Sequence, residues 1–269
     1  VLEGYYQLHA TFETKDAMGA NFINTTLEQL ANTLREKATE FQGFSLGMPE
    51  VIMNGPEGRL EGRYVHSKKE NAPIALLLHP HPQHGGTMNN KVVYSMFQNF
   101  VNRGFSTLRF NFRGVGRSQG VFDRGEGELS DAASALDWLQ TYNPNAPYCW
   151  VGGFSFGAWI GMQLLMRRPE ITGFISIAPP ANMFDFTFLA PCPASGIMVH
   201  GDSDDVVPPD SVKKLVDKLS AQKGIVIDHV VVKNANHYFT KHLEDVNKAV
   251  TGYLNKSLPE SEQLPEAQK

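Results

Sequence analysis

One short stretch of the chain has the residue types and the spacing of a nucleophilic site. It reads Gly153-Phe154-Ser155-Phe156-Gly157, with a glycine two residues to either side of a serine. An apolar strand-like run, residues 148–151, precedes it, and an apolar helical pattern over residues 158–166 follows it. A serine in such a strand-to-helix turn takes φ > 0, and side chains at the two flanking positions would collide across the turn. The pattern predicts that Ser155 is a nucleophile; the alternative is a glycine-rich turn that carries an inert serine.

A serine hydroxyl becomes an effective nucleophile only when a base removes its proton, and imidazole can do so at neutral pH. After a turn of this kind the partners follow in the order Ser, Asp, His. His237 stands in a polar stretch directly after the apolar run 230–232, where the loop after the last predicted strand should lie. The rivals His229 and His242 fall inside a strand pattern and a helix pattern. We therefore predict that His237 is the base.

Three aspartates compete for the role of the acid that orients the histidine. Residues 200–208 read His-Gly-Asp-Ser-Asp-Asp-Val-Val-Pro, directly after an apolar strand pattern. A carboxylate just past the end of a parallel strand lies at the sheet edge where active sites collect. The spacing alone does not choose between Asp202, Asp204 and Asp205.

An oxyanion formed at the serine would need backbone N–H donors. One donor should be Phe156, the residue after the nucleophile. The second should come from the loop after residue 78, which reads His-Pro-His-Pro-Gln-His-Gly-Gly. Its two prolines have no N–H, so the position just past the strand favours His81.

The same loop allows a zinc-site interpretation, because His79, His81 and His84 carry imidazoles, which are common zinc ligands. No carboxylate completes a known ligand spacing, and the serine motif already accounts for a site, so we predict no metal and no cofactor. Residues 111–118 contain two glycines but lack the full spacing of a phosphate-binding loop. We interpret that segment as a structural turn at the rim of the active site.

The elements that must position these residues alternate regularly between strand and helix. Strand patterns cover residues 74–78, 106–110, 148–151, 173–177, 197–200 and 225–232, and helical patterns cover 91–103, 129–140, 158–166, 211–220 and 241–255. Such alternation predicts a doubly wound, mostly parallel sheet. The apolar segments 51–53 and 60–65, separated by a turn-rich connection, predict an antiparallel hairpin at its start.

Residues 1–47 form an N-terminal extension with its own pattern. Residues 26–41 predict an amphipathic helix, so the sheet should carry an added N-terminal helical segment. Residues 16–25 resemble a motif of hydroxymethylglutaryl-CoA reductases, in which the aspartate matching Asp16 is catalytic. The rest of such an enzyme is not recognisable, so we interpret the extension as a foreign or fused fragment without reductase activity. At the other end, residues 257–269 are predicted to be a disordered tail.

Residues 48–256 resemble the small α/β-hydrolases of the esterase and dienelactone-hydrolase type. The resemblance rests on the Ser155 motif, the His-Pro-His-Pro loop, the run from His200 to Pro208 and His237. It implies that Asp204 is the triad acid and that the chain is a serine hydrolase, most plausibly a carboxylesterase for small or short-acyl esters acting through an acyl-enzyme. The alternatives are a peptidase or thioesterase on the same triad, or a non-catalytic binding member of the fold.

The connection between residues 177 and 197 leaves little room for a lid. It contains Phe184, Phe186 and Phe188, which could equally line an acyl pocket or belong to the core.

Composition restricts the partners. The chain of 269 residues is 42% hydrophobic and 19% charged with a formal net charge of -4, which gives no electrostatic case for binding nucleic acid or an anionic membrane. Its two cysteines are too few for a disulfide framework, and no apolar run approaches transmembrane length. We expect a cytoplasmic protein with a small ester as its partner, and a possible homo-oligomer through the apolar stripe of the extension.

Overall fold

The computed structural model describes residues 50–262. The N-terminal extension with its predicted helix and reductase-like motif, and residues 263–269 of the predicted tail, lie outside the described residues.

A single eight-stranded sheet forms the centre of the described fold. Its strands are β1 (Glu50–Gly55), β2 (Gly58–Val65), β3 (Ile74–Leu78), β4 (Ser106–Phe110), β5 (Cys149–Phe154), β6 (Ile171–Ile177), β7 (Gly196–Gly201) and β8 (Ile227–Val232). They lie in the order β1-β2-β4-β3-β5-β6-β7-β8. The pairings β1–β2 and β2–β4 are antiparallel, and all those from β4 to β8 are parallel. The predicted opening hairpin and mostly parallel sheet are confirmed.

Five helices follow strands of this sheet: α1 (Lys91–Val101), α2 (Glu126–Thr141), α3 (Phe156–Arg167), α4 (Pro209–Ser220) and α5 (Leu243–Ser257). Residues on β3 show that the helices cover both faces of the sheet. Leu77 points toward the side where Met96 of α1 packs over Gly152, whereas Leu78 points toward Gly161 of α3. Because successive strand residues face opposite sides, α1 and α3 lie on opposite faces, as a doubly wound sheet requires.

Burial explains why the central strands could be identified from sequence. Every residue of β3, β4, β5 and β7 is buried. A strand buried on both faces can be a continuous apolar run, as β3 is, whereas β4 also buries Ser106, Thr107 and Arg109. The first turn of α2 was missed because it contains two glutamates and no apolar stripe. There Glu128, fully buried, accepts hydrogen bonds from the N–H groups of Asp123 and Gly125 and so caps the helix.

The start of the predicted disordered tail is ordered. Beyond α5, Leu258 is buried, Lys69 donates to the carbonyl of Ser261, and the Tyr148 hydroxyl donates to Glu262. One buried apolar side chain and these two polar contacts hold residues 258–262 in place, although their composition is typical of disorder. No helix within residues 50–262 is long and apolar enough to cross a bilayer.

Candidate active site

Ser155 lies in a strained turn between β5 and α3. Its backbone has φ 53° and ψ -118°, a combination that is unfavourable for a side chain larger than that of glycine. The Ser155 N–H donates to the carbonyl of Ile177 on β6 at 2.8 Å, which fixes the turn to the neighbouring strand.

The two flanking glycines are required because backbone atoms occupy the space of a side chain. A Cβ at Gly153 would lie 2.2 Å from the Gly157 carbonyl oxygen. A Cβ at Gly157 would lie 2.4 Å from the Leu78 carbonyl oxygen at the end of β3. The glycines therefore let the turn close on itself and let α3 approach the strand that leads into the His-Pro-His-Pro loop.

Asp204 lies in the loop between β7 and α4, with its carboxylate held from two sides. One oxygen accepts hydrogen bonds from the N–H groups of Val206 at 2.9 Å and Val207 at 2.7 Å. The other lies 2.8 Å from Nδ1 of His237, and the side chain is fully buried. Asp202 and Asp205 are both exposed. The structure thus brings the histidine to Asp204 and not to the other two aspartates.

His237 connects the acid to the serine. Because the Asp204 carboxylate can only accept, Nδ1 of His237 carries the proton and Nε2 is left as an acceptor. Nε2 lies 3.0 Å from Ser155 Oγ, so the serine hydroxyl can donate to it. The imidazole is 3% exposed and packs against the Phe154 ring, 5.6 Å between centroids. This is the geometry of a serine that is activated by a neutral imidazole.

The rival histidines lie elsewhere. His229 is on β8, where its Nε2 lies 3.3 Å from Nδ1 of His200, and burial lowers the pKa of both. His242 is the residue before α5. Neither has a contact with Ser155 among the described residues.

The two predicted oxyanion donors lie on facing segments. Phe156 is the first residue of α3, where a backbone N–H has no acceptor within the helix. His81 precedes a short 3-10 turn (Pro82–His84), and within the described part of the chain its N–H has no hydrogen-bond partner. The rings of His81 and Phe156 are in contact, 5.0 Å between centroids.

His79 anchors the loop that carries His81. Its Nδ1 lies 2.7 Å from the Pro80 carbonyl, so Nδ1 is the donor, and its Nε2 accepts from the Phe112 N–H at 3.0 Å. Complete burial lowers the pKa of His79 to about 4, and this keeps the imidazole neutral. Both nitrogens are occupied, so His79 cannot ligate a metal without losing these bonds. Across residues 50–262 no three His, Cys, Asp or Glu side chains are grouped to hold a metal ion.

Half-buried aromatic rings surround the side chain that follows the nucleophile. Phe156 contacts the rings of Phe122, Trp159 and Phe184, with centroids 5.9, 5.7 and 5.9 Å away. We call these three rings, together with His81, the aromatic wall. Phe184 belongs to this wall, whereas Phe186 is buried and stacks on Phe188, 6.1 Å away.

The sequence did not single out two members of the aromatic wall. Trp159 stands four residues after Ser155 on α3, and that helical spacing could have identified it. Phe122 lies in the irregular segment between β4 and α2, where no periodicity exists to mark it.

Residues 111–118 form a structural turn, as predicted. The Asn111 side chain donates to Glu61, and the Ser118 hydroxyl donates to the Asn111 carbonyl. Arg113 forms two side-chain hydrogen bonds, at 3.0 and 2.8 Å, with the fully buried carboxylate of Asp131. These polar groups bind one another and so hold the segment that leads to Phe122.

Three protein-family models match parts of the chain. Residues 59–190 match the X-Pro dipeptidyl-peptidase (S15) family, and residues 175–259 match the prolyl oligopeptidase family. Residues 1–48 match hydroxymethylglutaryl-coenzyme A reductase, a match confined to that segment.

Individual relatives cover the hydrolase part almost completely. The uncharacterized protein RP471 of Rickettsia prowazekii (strain Madrid E) is 54% identical over 211 residues, which are 77% of this chain and 89% of that protein. The solved structure of ATU1826 from Agrobacterium tumefaciens, a protein of unknown function assigned to the α/β hydrolases, is 60% identical with a TM-score of 0.78, and the match covers 81% of this chain and all of that one. XC6422 from Xanthomonas campestris, an α/β serine hydrolase without a lid, is 31% identical with a TM-score of 0.71 over 80% of this chain and 97% of that one.

Proposed function

Because the chain belongs to the α/β serine hydrolases, we propose that it is a carboxylesterase that cleaves small or short-acyl esters through an acyl-enzyme on Ser155. The observation that carries the proposal is the continuous contact from Asp204 through His237 to Ser155, with distances of 2.8 and 3.0 Å. A serine, an imidazole and a carboxylate in this contact can perform acyl transfer without a cofactor.

In the first step Ser155 Oγ attacks the ester carbonyl while its proton passes to Nε2 of His237. The positive imidazolium that forms is stabilised by the Asp204 carboxylate, which accepts hydrogen bonds from two backbone N–H groups and the imidazole N–H. The negative oxygen of the tetrahedral intermediate accepts hydrogen bonds from the N–H groups of Phe156 and His81.

In the second step the intermediate collapses. His237 returns the proton to the departing alcohol oxygen, and the acyl group stays on Ser155. Water then enters, gives its proton to His237 and attacks the acyl carbon, and this attack releases the acid and restores the serine.

The surroundings of the serine favour an ester over a peptide. The aromatic wall offers apolar rings, which bury an acyl group but supply few partners for the N–H and C=O groups of a peptide. Peptidase activity is the second candidate, since the two matching family models of the hydrolase part are those of peptidases.

The test is hydrolysis of p-nitrophenyl acetate and butyrate beside proline p-nitroanilides, with the wild-type protein and Ser155→Ala. We expect ester hydrolysis by the wild type and a loss of several orders of magnitude in the variant, because only oxyanion stabilisation and binding remain. A fluorophosphonate probe should label the wild type and leave Ser155→Ala unlabelled. Retention of a tenth of wild-type turnover by the variant would rule out Ser155 as the nucleophile. Anilide cleavage with higher catalytic efficiency than ester cleavage would establish the peptidase instead.

We further propose a cytoplasmic location. Cys149 and Cys192 are both free and buried, so the described fold has no disulfide and needs no oxidising compartment.

A further inference from the structure

One member of the aromatic wall also lines a cavity. Phe184 lies in the connection between β6 and β7 and is half-buried. Its ring meets the Phe156 ring edge-on at 5.9 Å and stacks on the Trp159 ring at 4.3 Å.

Phe184 also lines a cavity of about 450 Å³. This cavity lies between the β6–β7 connection and α4. Its apolar lining comes from Ala181, Phe184, Phe186, Pro208 and Leu215, and its polar lining comes from Asp185, Thr187, Asp210, Ser211, Lys214 and Lys218. Its volume is within the range of small-molecule sites.

The backbone around Phe184 is fixed on both sides of the ring. Its own N–H donates to the Pro180 carbonyl at 3.0 Å, and the Asn182 side chain donates to the Val206 carbonyl at 3.0 Å. The Trp159 indole N–H donates to the Asp185 carbonyl, also at 3.0 Å. Because these bonds do not involve the Phe184 ring, truncating the ring should open space without moving the chain.

From these contacts we propose that Phe184 is a specificity-determining partition. Its ring ends the substrate pocket at the aromatic wall, and the cavity behind it is an extension that a longer aliphatic chain would enter if the ring were absent. This inference rests on the proposed esterase function and adds the residue that sets the chain-length limit. The chemistry that the extension recognises is an aliphatic chain, which an ester can carry on its acyl or its alcohol side.

The experiment measures the ratio of kcat/KM for a long ester to kcat/KM for a short one. The acyl series is p-nitrophenyl octanoate against p-nitrophenyl butyrate, and the alcohol series is octyl acetate against ethyl acetate. The ratio is internal to each protein, so a change in the folded fraction does not affect it. In one of the two series Phe184→Ala should raise the ratio on the order of tenfold, which corresponds to about two newly buried methylenes at about fourfold each.

A matched control uses Phe188, a phenylalanine of the same connection that stacks on Phe186 and does not line the cavity. Phe188→Ala should leave both ratios at the wild-type value. Phe184→Leu, a milder truncation, should shift the same ratio in the same direction by a smaller factor, which keeps the test valid if the alanine variant folds poorly.

The outcomes separate this inference from the proposed function. The proposed role of Phe184 is wrong if the wild type hydrolyses short esters but neither ratio rises in Phe184→Ala or Phe184→Leu. It is also wrong if Phe188→Ala produces an equal rise. In both cases the proposed esterase function is unaffected. If the wild type hydrolyses no ester of either series, the proposed function fails and the partition fails with it.

Discussion

Asp204 differs from its two aspartate neighbours in what its carboxylate contacts. It is buried and bound by two backbone N–H groups and His237, whereas Asp202 is exposed and accepts from the Ser203 hydroxyl and the Asn234 N–H. Spacing could not separate these aspartates, because all three follow β7 within a few residues. The resemblance of residues 200–208 to a motif of the α/β-hydrolases favoured Asp204. The contacts of its carboxylate explain physically why this aspartate, and not its neighbours, meets His237.

Asp204→Asn should lower turnover by orders of magnitude, with Asp202→Asn and Asp205→Asn as matched controls that stay near wild type. The amide keeps the shape of the side chain but cannot stabilise the imidazolium, and its NH₂ group can force the wrong tautomer on His237. Steady-state kinetics on p-nitrophenyl butyrate, with thermal unfolding to verify the fold, measure the effect. An equal loss in Asp205→Asn would move the acid by one residue.

The sequence indicated the residues that we propose to react more completely than the residues that surround them. Ser155 and His237 could be found because each follows an apolar strand in a segment of marked composition. Phe122 could not, because it meets Phe156 only after two distant loops are brought together by the sheet. The aromatic wall, which would define the substrate, is thus the part of the site that can be identified only from the tertiary structure.

At the scale of elements, the loop from β3 to α1 depends on an imidazole that is neutral and buried. His79 donates to the Pro80 carbonyl and accepts from the Phe112 N–H, so it ties the proposed oxyanion loop to the segment after β4. A charged His79 would lose its acceptor nitrogen and with it the bond to Phe112.

The low pKa of His79, about 4, predicts a pH-dependent stability. In the unfolded chain a histidine has a pKa of about 6.5, so as the pH falls below that value the unfolded state takes up the proton first and the free energy of unfolding decreases. The contribution is fully present above pH ~6.5 and is lost as the pH falls toward ~4. Between pH 7 and pH 5 it amounts to about 2 kcal/mol.

Urea unfolding of the wild type and His79→Gln at pH 7 and pH 5 checks this prediction. Glutamine keeps a donor and an acceptor but does not titrate, so the variant should lose less stability on acidification than the wild type. Burial also lowers the pKa of His200 and His229, and these residues contribute the same slope in both proteins. Equal losses in the two proteins would show that His79 does not supply the pH dependence.

At the scale of the whole molecule, the fold could be predicted because its central strands are buried on both faces and its helices alternate with them. The order of the strands in the sheet could not be predicted from periodicity. β4 lies between β2 and β3, so β2 pairs with a strand that is distant from it in the sequence. The described sheet is built entirely from residues 50–232. The match to ATU1826 includes the whole of ATU1826 but only 81% of this chain.

A protein that begins at Met48 should therefore keep its hydrolytic turnover per site. All the residues proposed to act on the ester lie between His81 and His237, and the eight strands of the described sheet lie between residues 50 and 232. We expect the shortened protein to lose some stability or to change its oligomeric state, because the predicted apolar stripe of residues 26–41 favours docking or self-association.

Neither form should reduce hydroxymethylglutaryl-CoA, since the partners of Asp16 in such an enzyme are not recognisable in the sequence. Titration of active sites with a fluorophosphonate probe and steady-state kinetics measure turnover per site. Thermal unfolding measures stability, size-exclusion chromatography measures the oligomeric state, and an assay with hydroxymethylglutaryl-CoA and NADPH measures reduction. A shortened protein that folds but no longer hydrolyses esters would mean that the extension completes the active site and that the domain boundary lies elsewhere.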